Sequence, residues 1–176
     1  MRKLIESTLI SLDGVIESPD HWAAFDEESA ELALEHLDEF DAFVMGRVTY
    51  ERLSANWSEV TGSPYIDRIN AMPKYVASST LRDPGWNATV LGPDVAGEIA
   101  RLKQQPGKHL LKYGTSRLDD LLLREGLLDE LNLWYVPVVV GAGQRLFEDV
   151  DISSLELTLT GERRLGNGSV MLSFAL

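Results

Sequence analysis

The feature that most constrains this chain is a rhythm of short apolar runs, each followed by a turn signal or a helix-patterned stretch. Lys3–Leu12, Asp41–Met45, Lys74–Ala77, Ala88–Leu91, His109–Tyr113 and Glu130–Val140 read as strands. Between them lie stretches with helical periodicity. In Asp26–Glu39, Leu32, Leu34 and Leu37 are apolar with acids between. Val48–Ser54 and Pro64–Met72 read as shorter helices, and Pro93–Gln104 places Val95, Ile99 and Leu102 on one face. Leu118–Arg124 is a helix that Gly126 ends as a C-cap. Alternation of this kind predicts βα units with parallel strands. The last two runs, Leu155–Leu165 and Ser169–Leu176, flank Gly166-Asn167-Gly168, and Asn-Gly is a strong hairpin signal. The expected fold is therefore α/β. It is a mixed, mostly parallel sheet of about eight strands with helices on both faces and a C-terminal antiparallel hairpin, in a single domain over residues 1–176.

A chain of 176 residues is long enough for one domain with a sizeable core. Its net charge of −12 repels nucleic acid and anionic membrane surfaces, so neither is an expected partner. No cysteine is present, and His21, His36 and His109 have no ligand spacing, so no metal site is expected. The N-terminal MRKLIESTLISLDG carries Glu6 and Asp13 and does not read as a signal peptide. With no run of eighteen apolar residues, the expected location is the cytoplasm.

Several expected strand ends carry the same punctuation. The stretch DAFVMGRVTYERL, Asp41 to Leu53, stops an apolar run at Gly46 and follows it with Arg47 and Thr49. That is either a tight βα turn or one wall of an anion site. Ser11-Leu12-Asp13-Gly14, Ala77-Ser78-Ser79-Thr80 and Tyr113-Gly114-Thr115-Ser116 repeat the theme. Glycines allow close backbone approach, and helix N-termini present free N–H groups and a partial positive charge.

The order of these motifs resembles the dihydrofolate reductase superfamily. It is closest to the branch that includes the C-terminal reductase domain of the bifunctional riboflavin-biosynthesis deaminase/reductase. The carriers are SLDGVI (Ser11–Ile16), VMGRVTYE (Val44–Glu51), MPKYVASSTL (Met72–Leu81), KYGTSRL (Lys112–Leu118) and GLLDELNLWYVPVVVGAGQRLF (Gly126–Phe147), which span nearly the whole chain. The resemblance implies NADPH as cofactor. It implies Arg47, Ser78 and Ser79 at the adenosine 2′-phosphate, with Gly46 and Thr49 on one side of the pyrophosphate and Gly114, Thr115 and Ser116 on the other. One departure is Tyr113, which stands where bifunctional relatives carry the first of two glycines.

On the substrate side, the candidate catalytic residues are Asp13, Asp26 and Glu130. Asp13 also reads as a plain Asp-Gly turn, Asp26 as an acid favoured at a helix N-terminus, and Glu130 as a strand-edge charge. Trp22 and Phe25 could stack on a flat ring or pack as a lid. The function implied is an NADPH-dependent reductase that transfers a hydride to a small pteridine-like, pyrimidine-like or carbonyl substrate. Two alternatives stand beside it: a non-catalytic NADPH-binding or sensing homodimer, and the 5-amino-6-(5-phosphoribosylamino)uracil reductase of riboflavin biosynthesis. The apolar run Asn132–Val140 is either a strand buried at the centre of one subunit or a homodimer contact, and the resemblance favours the dimer.

Overall fold

The computed structural model describes residues 1–153 and 155–176. Eight strands run in chain order: β1 (Leu4–Ser11), β2 (Phe40–Gly46), β3 (Lys74–Ala77), β4 (Ala88–Leu91), β5 (His109–Tyr113), β6 (Glu130–Val136), β7 (Thr158–Arg164) and β8 (Val170–Ala175). Among the described residues, five α-helices join them: α1 (Glu27–Leu37), α2 (Arg47–Trp57), α3 (Pro64–Ala71), α4 (Val95–Gln104) and α5 (Leu118–Arg124). One sheet contains all eight strands, in the order β4-β3-β2-β5-β1-β6-β8-β7. The first six are parallel to one another; at one edge β8 is antiparallel to β6, and β7 is antiparallel to β8.

The two faces of the sheet follow from residue alternation in the central strands. Leu4, Ala42, Val44 and Leu110 face one way and pack with Ile99 and Leu102 of α4 and Leu122 of α5. Ile5, Phe43, Met45 and Leu111 face the other way, against Leu37 of α1, Tyr50 of α2 and Ile69 of α3. Strands covered on both sides must be apolar at every position, which is why β2 reads as a continuous run. A register shift between Phe40 and Ala42 places Phe40 on the same face as Phe43.

Local chemistry sets the helix ends. The Asp26, Ser63 and Asp94 side chains accept from the first-turn N–H groups of α1, α3 and α4. At the far end of α3, the buried ammonium of Lys74 donates to the carbonyls of Ile69 (2.6 Å) and Asn70 (3.1 Å) and lies 4.2 Å from the Trp86 ring centre. Gly126, at φ +59, follows α5 in the left-handed conformation that glycine adopts at low cost.

Several expected boundaries move, among them the end of α2, which runs to Trp57 rather than Ser54. Strand β6 stops at Val136 rather than Val140, because Pro137 has no N–H for the ladder and the chain turns away. The N–H groups of Val140 and Gly141 donate instead to the Asp13 carboxylate, at 3.0 and 2.8 Å. Strand β7 begins at Thr158, not Leu155, where pairing with Ala175 starts. Helix α4 begins after Pro93, since Asp94 is its N-cap. The apolarity of Asn132–Val136 is accounted for within one chain: β6 lies between β1 and β8, and Asn132, Leu133, Trp134 and Val136 are buried.

Candidate functional site

Because β1, β2, β3, β5 and β6 are parallel, their carboxyl ends share one edge of the sheet. A cleft of about 930 Å³ opens there. Its origin is a fork between strands. Pairing of β1 with β5 ends at Ser7 opposite Tyr113, whereas pairing of β1 with β6 continues to Ser11 opposite Val136. Beyond Ser7, one edge of β1 therefore has no strand beside it, and Ser7, Thr8 and Leu9 line the cleft. Open α/β sheets bind ligands where strand order reverses in this way.

One wall is the junction of β2 and α2. Gly46 is the N-cap of α2, and no side chain caps that helix. At φ −78 the position does not need glycine for its backbone, so the tight-turn reading of Gly46 does not explain it. A Cβ there would meet nothing within 4 Å, so glycine leaves the helix N-terminus open. Arg47 and Thr49 line the cleft with it. The Arg47 guanidinium is half exposed and bonds Glu51 at 3.2 Å, a weak i,i+4 surface pair that a stronger anion can displace.

The opposite wall is Gly114-Thr115-Ser116. Gly114 has φ +65, and a Cβ built on it would meet nothing within 4 Å. Thr115 Oγ1 is buried with no partner, although buried hydroxyls are nearly always bonded. An orphan hydroxyl, an open glycine and an uncapped helix N-terminus fit a bound phosphate ester.

A buried ionic network underlies this wall. Lys112 Nζ lies 2.9 Å from Glu6 Oε2 and 2.8 Å from Asp119 Oδ2, and it also donates to the Gly114 carbonyl. All three side chains are essentially inaccessible. The Asp119 carboxylate also accepts from Ser116 N–H at 2.6 Å. Burial pushes the Glu6 carboxyl up to about 7 against the pull of Lys112. Burial also disfavours the Lys112 charge, but the two carboxylates outweigh it and raise its pKa. A buried pair of this kind is weak evidence for stability, because desolvation offsets its attraction; its contacts to the Gly114 carbonyl and the Ser116 N–H tie it to the wall.

Ser78 and Ser79 follow Ala77, the last residue of β3 to line the cleft, and are not on its wall. Ser78 Oγ accepts from Thr80 and Leu81 N–H, which shapes the turn. Arg82 bonds the Ser79 carbonyl at 3.1 Å, which places a cation on this loop.

The remaining half of the cleft is aromatic. Ala30, Ala33 and His36 of α1 lie above Leu9 and Trp134, with Phe25, Leu53 and Trp57 around them. Trp134 Nε1 donates to Ser7 Oγ at 3.0 Å. His36 stacks edge-on against Phe40 and Trp134, and its Nε2 is buried without a partner. Burial lowers its pKa, with Glu39 and Glu130 pulling the other way. Tyr65 of α3 and Tyr113 of β5 also line the cleft, their hydroxyls 2.6 Å apart. Trp22 is tied away, donating to the Glu17 carbonyl at 2.8 Å.

None of the three acids expected on the substrate side lines the cleft. Asp13 is a loop staple: it accepts from Ser11 Oγ at 2.7 Å and from the two N–H groups past β6. The Val140 N–H foremost, then Ser11 and Gly141, hold its pKa down to about 2. Asp26 spends its carboxylate on capping α1, accepting from Ser29 N–H at 2.9 Å and Ser29 Oγ at 2.5 Å. Glu130 opens β6, at the edge of the sheet opposite the cleft, and pairs with Lys3 at 3.1 Å. In place of these acids, the cleft gathers Tyr65 and Arg52, which sequence reasoning passed over, together with Arg117, and the Glu6–Lys112–Asp119 network lies behind its wall. The network left a trace in the sequence, one charge each inside the apolar runs LIESTLI and HLLKY.

The family model for the RibD C-terminal domain matches residues 2–171. The uncharacterized protein YyaP of Bacillus subtilis is 27% identical over 98% of this chain and 94% of its own. Among solved structures, a Shewanella sp. PV-4 protein named for riboflavin biosynthesis superposes with a TM-score of 0.74 at 20% identity, over 98% of each chain. Dihydrofolate reductase from Enterococcus faecalis, solved with NADP(H), superposes at 0.61 and 14% identity, over 98% of this chain and 95% of its own. These likenesses establish a dihydrofolate reductase-like fold. Among the described residues, no helix is long and apolar enough to cross a membrane.

Proposed function

The chain belongs to the RibD C-terminal domain family, and from that premise we propose that it is an NADPH-dependent reductase of small heterocyclic or carbonyl substrates. The observation that carries the reading is the fork between β1 and β5, with an open glycine wall on either side. The unpaired edge of β1 offers backbone donors and acceptors to a flat carboxamide-bearing ring. Gly114, Thr115 and Ser116 on one wall, with Gly46, Thr49 and the N-terminus of α2 on the other, suit a pyrophosphate. Arg47 presents a planar fork of donors to a 2′-phosphate, with Arg82 and the Ser78-Ser79 loop as its other side. NADPH, when bound, supplies the hydride. The chain's own part is to hold the two reactants in register and exclude water, for which the apolar walls Leu9, Leu53, Trp57 and Trp134 are suited.

A second reading is favoured by one observation. Arg52 and Arg117 also line the cleft, and two cations beyond Arg47 are what a ribosyl-phosphate substrate would require. A 5-amino-6-(5-phosphoribosylamino)uracil reductase fits that arrangement.

The decisive experiment is cofactor titration by tryptophan fluorescence, followed by NADPH oxidation against pterins, pyrimidines, quinones and aldehydes. Arg47→Ala weakens NADPH by about tenfold to a hundredfold, the value of a charged hydrogen-bond pair, and leaves NADH unchanged. Equal loss for both cofactors, or for neither, removes Arg47 from the 2′-phosphate.

A further inference from the structure

Reduction of a C=N or C=O group needs a proton as well as a hydride. The expected acids do not reach the cleft, and the carboxylates that do line it, Glu17, Asp20 and Asp149, are exposed. His36 is interior, but burial disfavours its protonated form. That leaves the tyrosine pair.

Tyr65 and Tyr113 come from α3 and from the last position of β5. Their hydroxyls are 2.6 Å apart, and neither makes another hydrogen bond among the described residues. Two phenols carry two hydrogens, and the bond between them uses one. The second is free to face the cleft that both rings line. Apolar rings fix the pair: Phe43 meets Tyr113 edge-on at 5.1 Å between centroids, and Trp57 meets Tyr65 at 6.3 Å. Tyr113 sits opposite Ser7, at the head of the fork. Its side chain packs with Phe43, on the same side of the sheet as α1, α2 and α3.

We propose that Tyr113 and Tyr65 form the proton-donating dyad of this reductase. Tyr113 touches the heteroatom beside the carbon that receives hydride, and Tyr65 is a positioning residue that acts through Tyr113. The proposal rests on the reductase reading above. In the step, the reduced nicotinamide gives a hydride to the acceptor carbon, and the π pair of the double bond moves onto its nitrogen or oxygen. The free phenolic hydrogen follows onto that atom. One hydrogen then remains between the two phenolic oxygens, so the single negative charge is shared across a short, charge-assisted bond. Water at the cleft mouth returns the missing proton. A lone buried phenol would leave an unsupported anion after donation, whereas a pair does not. Burial pushes the Tyr65 phenol up to about 12, against the hydrogen bond it shares with Tyr113, and burial beside Tyr65 raises the Tyr113 phenol well above its ordinary value. Both therefore remain intact donors throughout the neutral range.

The test compares wild type, Tyr113→Phe and Tyr65→Phe with NADPH and pterin, pyrimidine and aldehyde acceptors. The NADPH Kd, kcat and the solvent deuterium isotope effect are measured. The NADPH Kd is expected to be unchanged in both variants. Tyr113→Phe lowers kcat by about a hundredfold or more, the range of a lost general acid, and alters the isotope effect because the proton now comes from water. Tyr65→Phe lowers kcat by about tenfold, the value of one hydrogen bond to an anion. It gives an independent result if Tyr113→Phe folds poorly. Unchanged kcat in the variants overturns the dyad. So does a wild type that binds NADPH yet reduces none of these acceptors. A wild type that does not bind NADPH overturns the reductase reading itself, and the dyad with it.

Discussion

Replacing Lys112 by Met probes the network that holds the Gly114-Thr115-Ser116 wall. Methionine has a similar length and can fill the same space without a charge. What it leaves behind is two buried carboxylates. In the wild type, Lys112 makes contacts of 2.9 Å to Glu6 and 2.8 Å to Asp119. At an effective dielectric near 20, each such contact is worth roughly 6 kcal/mol of attraction, offset by several kcal/mol of desolvation per ion. Removing one partner of a buried pair costs about 3–5 kcal/mol, a large share of the 5–15 kcal/mol that typically separates folded from unfolded chains. The loss depends on pH. Glu6 has a folded pKa of about 7, above its ordinary 4.5. Its contribution to stability is therefore fully present below about 4.5 and lost as pH rises through about 7. Without Lys112 the carboxyl is driven further toward its neutral form, so the variant is more impaired at pH 8 than at pH 5.5. Urea denaturation at both pH values measures this. The double variant Glu6→Gln/Lys112→Met recovers much of the loss, because it removes the second buried charge. A loss under about 1 kcal/mol at pH 8, or an equal loss at both pH values, would refute the reasoning that these groups are coupled charges.

Two further outcomes follow from single positions. Gly114→Ala forces a side chain into a φ of +65, costs about 1–2 kcal/mol of stability by denaturation, and narrows the wall enough to weaken NADPH; a neutral effect on stability would contradict the left-handed backbone there. Lys74→Met removes the carbonyl cap of α3 and costs about 1–3 kcal/mol at neutral pH. Burial lowers the Lys74 pKa from 10.5 to about 8, so the wild type gains stability from this group as pH rises from about 8 to 10.5, a gain that denaturation curves of the variant lack.

Much of the fold was legible because its signals are local. Lys74–Ala77, Ala88–Leu91, His109–Tyr113 and Leu118–Arg124 have the same boundaries in structure as in the sequence reading, since apolar runs with punctuated ends leave little choice. The end of β6 differs because Val138, Val139 and Val140 continue an apolar pattern, while Pro137 ends the ladder and the N–H groups beyond it bond to Asp13, far away in sequence. That Gly46, Thr49 and Gly114-Thr115-Ser116 line one cleft was legible for the same reason as the strands: glycines and hydroxyls at strand ends advertise themselves. The acids were not. Asp26 looks alike in sequence whether it caps a helix or faces a ligand, and only the bond to Ser29 decides. Glu130 is misleading for a topological reason, because the first residue of a parallel strand lies at the wrong end of the sheet for this cleft. The tyrosine dyad joins residues 48 positions apart, and no local pattern announces such a pair.

The strand order has a consequence for how the chain is made. β1 precedes the other seven strands in the chain and is buried along nearly its whole length, yet among the described residues its neighbours in the sheet are β5 and β6. β2, β3 and β4 can assemble among themselves as they emerge, but β1 must wait until residue 109 and beyond have left the ribosome. At about 5–20 residues per second, that interval is on the order of 5–20 s. During it, LIESTLIS is an unpaired, largely apolar strand, the kind of segment that nascent-chain chaperones bind. The cleft, built on the far end of the same strand, is therefore among the last parts of the molecule to form.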